Sequence, residues 1–84
     1  MDLETIKREI LSLVALRGKG TICPSEVARK LGGEDWRDLM EPVRSVGIEL
    51  EESGRIDILQ KGVKVRGTIA RGPIRYRMRQ LDDS

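Results

Sequence analysis

The sequence predicts an α+β fold from three observations. Apolar residues recur at helical spacing in three separate stretches, alternate with charged ones near the C-terminal end, and a glycine-rich segment precedes that alternation. Eighty-four residues suit one domain, 1–84, near the lower end of sizes that fold without a disulfide or metal staple. Aromatics are only 2% of the chain, with no Phe and no His, so the core must be aliphatic and thin.

In the first helix, expected over residues 3–17, Leu3, Ile6, Ile10, Leu13 and Val14 fall on one stripe. Asp2 is its expected N-cap, Glu4 favours the positive end of its dipole, and Gly18 and Gly20 stop it. Leu11 and Leu16 lie off the stripe and call for cover from elsewhere. Thr21 and Ile22 suit a very short strand. A second helix over about 24–31 starts with Pro24 in its first position and Glu26 in its first turn, and buries Val27 and Leu31.

Gly32-Gly33 ends it, and Asp35 is the expected cap of the next segment. Proline inside a helix costs about 3 kcal/mol. A single turn at 36–40 followed by a helix with Pro42 in its first turn avoids that cost. This third helix is expected to reach Ser53, to bury Leu39, Val43, Val46 and Leu50, and to stop at Gly54. Residues 56–60 read as a strand. Residues 74–79 read as another, with Ile74, Tyr76 and Met78 inward and three arginines outward. The segment between them reads as a long hairpin loop, with Val63–Val65 extending the first strand, and residues 79–84 as a flexible acidic tail. Three helices and a small antiparallel hairpin wing describe a winged helix-turn-helix.

"TICPSEVARKLGGEDWRDLMEPVR" followed by "ARGPIRYR" resembles a bacterial family of short winged-helix domains of unknown function. The likeness runs from about Glu4 to Arg79. It implies the same fold and brings no activity, cofactor or substrate with it.

Charge is distributed unevenly. Residues 1–54 carry eight basic and eleven acidic side chains, whereas residues 55–84 carry eight basic and three acidic. Clustered positive charge favours an anionic partner, most often nucleic acid. The third helix runs against this: seven carboxylates face two arginines between Glu34 and Gly54. Carboxylates near phosphates oppose the counterion release that drives DNA affinity.

Two function classes follow. In the first, the module binds double-stranded DNA. Lys61, Lys64, Arg66, Arg71, Arg75 and Arg77 contact the phosphate backbone, while Arg44 and Ser45, near the start of the third helix, read bases to a limited extent. In the second, the acidic third helix and the outward Ile48 form a docking face for a protein partner or a second copy, without nucleic acid. The competing structural reading has the strand arginines protecting a sheet edge or pairing with helix carboxylates. RNA binding lacks the stacking aromatics that such surfaces use.

Catalysis is not expected. The commonest general base, histidine, is absent, and no Cys or His spacing suits zinc. No cofactor, metal or small-molecule substrate is indicated. Cys23 reads first as a small buried hydrophobe, and second as a thiol activated by a helix N-terminus. Trp36 reads as an anchor between the second and third helices, and alternatively as a stacking platform. The lone cysteine suits a reducing cytoplasm, and no apolar run approaches the ~20 residues of a membrane span.

Overall fold

A computed structural model describes residues 2–66 and 72–79. Three α-helices precede a three-stranded antiparallel sheet: α1 (Leu3–Arg17), α2 (Pro24–Gly32), a 3-10 segment (Gly33–Leu39), α3 (Met40–Glu52), β1 (Ile56–Gln60), β2 (Val63–Val65) and β3 (Arg75–Met78).

Local chemistry accounts for the helix boundaries. Asp2 caps α1 by accepting the Glu4 N–H at 2.8 Å. At the start of α2, Glu26 reaches back to accept the Cys23 N–H at 2.6 Å, and its other oxygen pairs with Arg17 at 2.8 Å. Burial works to raise the pKa of Glu26, but the Cys23 N–H and the Arg17 guanidinium outweigh it and hold the carboxyl below its ordinary value. Glu26→Ala is therefore expected to destabilise the fold by about 1 kcal/mol, measurable by urea unfolding, as the loss of a cap does.

Asp35 does not cap the next segment. The 3-10 turn begins earlier, at Gly33, and neither its own cap, Gly32, nor that of α3, Leu39, makes a side-chain cap bond. Pro42 sits in the first turn of α3, where its missing N–H costs nothing. The helix closes where Gly54 N donates to Glu51 O and Arg55 N donates to Leu50 O.

The core is aliphatic apart from one ring. Ile6, Ile10 and Val14 of α1, Val27 and Ala28 of α2, and Val43, Val46 and Leu50 of α3 meet Ile56, Ile58 and Tyr76 of the sheet. Leu11, Leu13, Leu31, Leu39 and Trp36 are half-buried against this cluster. Leu3 remains 57% exposed, so the stripe of α1 is shorter than its sequence indicates, and Leu16, off the stripe, stays 79% exposed.

The segment expected as one long hairpin loop is divided. Gln60 pairs with Val63, so the chain reverses through Lys61-Gly62 alone, with φ of +53° and +81°. Two left-handed central residues make the tight turn whose twist matches a hairpin. Val63–Val65 thus returns as β2 instead of prolonging β1. The strand order is β2-β1-β3, and Ile22 adds a single bridge to Tyr76 on the far edge. Of the residues expected inward on the last strand, Ile74 and Tyr76 are buried. Met78 is 39% exposed, because the strand reaches the rim of the sheet there.

α3 and β3 approach each other closely at Gly47. Tyr76 lies across α3, its hydroxyl donates to Val43 O at 3.3 Å, and its ring occupies the space a side chain at position 47 would need. Burial pushes the Tyr76 phenol pKa well up, so it stays a neutral donor throughout the ordinary pH range.

Candidate functional site

β1 is buried on both faces, and the outer face explains the basic stretch. Asp57 is only 2% exposed, although carboxylates are rarely buried without partners. Its partners are three cations: Arg79 Nε at 2.7 Å, Arg77 Nη2 at 3.3 Å and Lys64 Nζ at 3.4 Å. The register builds this cluster, since Arg77 stands directly opposite Asp57 on β3, while Leu59 lies between Lys64 and Arg75. Burial tends to raise the pKa of Asp57. Arg77, Lys64 and Arg79 together overcome that and hold the carboxyl below its ordinary value.

The acidic end of α3 meets the same cluster. Glu51 and Glu52 line a cleft of about 380 Å³ with Asp57, Lys64, Arg66 and Arg79. Arg79 also donates to Glu51 O and Ile56 O, which clamps the end of α3 to the start of β1. The surplus negative charge of α3 and the surplus positive charge of the sheet thus face each other here, and each weakens the other's field.

The opposite end of α3 is different. Arg44 donates from Nη2 to Gly72 O at 3.1 Å, joining the second turn of α3 to the segment that leads into β3. Ser45 beside it is exposed. No carboxylate lies within 4 Å of Arg44, Lys61, Arg66 or Arg75 among the described residues, and Lys61 and Arg66 are both exposed. Arg75 donates instead to Thr21 Oγ1 at 2.6 Å and to Cys23 Sγ at 2.9 Å. Arg71 lies outside the described residues, as do Gln80–Ser84 of the expected tail.

The eight cations and polar groups expected at a nucleic-acid surface therefore divide. Arg44, Lys61 and Arg75 gather around the Gly72–Arg75 segment and the β1–β2 turn, with Ser45 next to Arg44 in the chain. Lys64 and Arg77 turn to Asp57, and Arg66 shares a cleft with Glu51 and Glu52. Sequence reasoning passed over Asp57. Its signal was present, as the sole acid among the eight basic residues between Arg55 and Gln80.

Two further expectations change, and a third holds. Ile48, expected on the outer face of α3, is half-buried and packs against the core, because helix packing covers more than its central stripe. Cys23 is half-buried at a surface cleft and touches Arg75, which replaces its reading as a core hydrophobe. Trp36 packs against the core as an anchor should, with the guanidiniums of Arg29 and Arg37 each 4.5 Å from its ring centroid.

A family model described as protein of unknown function (DUF3253) matches residues 3–79. The chain belongs to the DUF3253 family. No curated protein matches it. Parts of the stretches that carried the resemblance join α2 to the sheet in this DUF3253 chain. Ile22-Cys23-Pro24 bridges β3 and opens α2, and Ile74-Arg75 leads into the strand that this bridge joins. No helix among the described residues is long and apolar enough to cross a membrane.

Proposed function

We propose that this domain is a winged helix-turn-helix that binds double-stranded DNA through the start of α3 and the base of its wing, where residues 61–66 and 72–74 lie. The observation that carries this reading is the 3.1 Å hydrogen bond from Arg44 to Gly72 O. It joins the part of α3 from which a recognition helix contacts bases to the segment that leads to Arg75, which, like Lys61, has no carboxylate within 4 Å among the described residues. Only one of Arg44's five N–H groups is used in that bond, so a free edge remains for the paired acceptors of a guanine.

Charge segregation also supports the reading. The carboxylates that count against a DNA-binding α3 lie at its far end, against the Asp57 cluster. In this footprint Arg44 and Ser45 supply a limited base readout, and Lys61, Arg66, Arg71 and Arg75 supply phosphate contacts. Lys64 and Arg77 act mainly as counterions of Asp57. The role is one of binding, without catalysis. The alternative, a protein-docking face on the acidic helix, loses its apolar anchor because Ile48 packs inward.

Fluorescence anisotropy with a mixed-sequence duplex at several salt concentrations tests the proposal. Log K should fall with log[salt] at about −0.9 per contacted phosphate, and about three or four contacts are expected from this footprint. Arg66→Ala or Arg71→Ala should weaken binding to all duplexes alike and flatten the slope by about 1. Arg44→Ala should instead narrow the affinity difference between duplexes of different sequence. A folded protein that binds no duplex even at low salt would end the DNA reading.

A further inference from the structure

A second cleft, of about 600 Å³, opens where three chain segments meet: Cys23 at the start of α2, Gln60-Lys61 at the end of β1, and Pro73-Ile74-Arg75 leading into β3. We propose that it binds a small organic anion, a carboxylate or sulfonate on a flat apolar body of one or two rings. The volume lies within the range of small-molecule sites, about 300–1,000 Å³. Cys23, Pro73 and Ile74 supply apolar wall, and Ile74 is itself part of the hydrophobic core. Such a site takes an apolar body and orients it with a few converging polar groups.

The converging groups here share one sign. Lys61 and Arg75 are the charged residues of the lining, and no carboxylate accompanies them among the described residues. Arg75 is fixed in place by hydrogen bonds to Thr21 and Cys23 and also feels the Glu26 carboxylate at longer range, but no carboxylate lines the cleft with it. The nearby Glu26 is already satisfied by the Cys23 N–H and Arg17. A preplaced guanidinium and an ammonium beside an apolar floor select an anion over its neutral isostere.

Benzoate and its uncharged counterpart benzamide are the probes, and amide NMR spectra of the intact chain are the readout. Benzoate should give saturable shifts confined to the amides around Cys23, Lys61, Ile74 and Arg75. Benzamide should bind at least about ten-fold more weakly, the loss expected when a charge-assisted contact becomes a neutral one. Lys61→Gln should weaken benzoate by about five-fold and leave benzamide unchanged, the effect of one exposed ion pair. Lys61 lies in a surface turn, so this variant keeps the fold even where Arg75→Gln does not. Equal affinity for benzoate and benzamide, shifts scattered over the surface, or no saturable binding would each overturn the assignment. None of these outcomes depends on whether the domain binds DNA.

Discussion

Gly47→Ala is expected to unfold the domain or leave it marginally folded. A Cβ at position 47 would meet the Tyr76 hydroxyl and lie 2.8 Å from Cε1 of the same ring, closer than real Cβ contacts come. The ring cannot swing away. Tyr76 is fully buried, its backbone pairs with Ile22 in both directions at 2.8 Å, and it stands opposite Ile58 on β1. Overpacking of this kind costs about 3 kcal/mol, against roughly 5 kcal/mol of total stability at the low end for small domains. Urea unfolding followed by circular dichroism measures it. Tyr76→Leu in the same chain should restore part of the loss, so the double variant should be markedly more stable than the sum of the single effects. A fully stable Gly47→Ala would mean that α3 and β3 pack with more slack than the structure has.

Asp57→Asn should have two separable effects. The first is on stability: three cations would be left around a buried neutral amide, and breaking a buried ion cluster in this way costs about 3 kcal/mol. The partly exposed positions of Lys64 and Arg79 allow water to offset some of that cost. The same linkage sets a pH dependence. The folded-state pKa of Asp57 is held below its ordinary value, so its contribution is complete above the unfolded pKa of about 4 and is lost as pH falls through the lower folded value. Glu26 carries the same sign, and both should appear as a loss of stability below about pH 4 that Asp57→Asn diminishes.

The second effect concerns binding. Asp57→Asn releases Lys64, Arg77 and Arg79 from their counterion. If the phosphate footprint is adjacent, the variant should bind duplex DNA more tightly and more steeply with salt, by up to about 0.9 in slope for each cation that gains a phosphate. An unchanged slope in a folded variant would place the DNA path away from the outer face of the sheet and confine it to α3 and the wing base.

What could be read from the sequence divides along physical lines. The three helices were legible within a residue or two, because their signals are local: Asp2 before the first stripe, Pro24 and Glu26 at the second start, Pro42 and Gly54 bracketing the third. The Lys61-Gly62 reversal was not read, since a lysine in the left-handed region is uncommon and gives no turn signal of its own. The sequence pattern puts Ile48 outward because a helical wheel marks the centre of a buried face better than its edges. The candidate site was legible as composition alone. Its basic residues could be counted, but the count could not assign them to DNA, to a carboxylate or to a backbone carbonyl.

The sequence by itself determined an aliphatic α+β domain with a basic C-terminal third, because propensity, capping and periodicity act over a few neighbouring residues. Only the tertiary structure decided which of those charges remain unspent. Arg77 reaches Asp57 across 20 residues of chain and Arg44 reaches Gly72 across 28. Such pairings depend on strand register and on where a helix end lands against a sheet, and no local pattern encodes either.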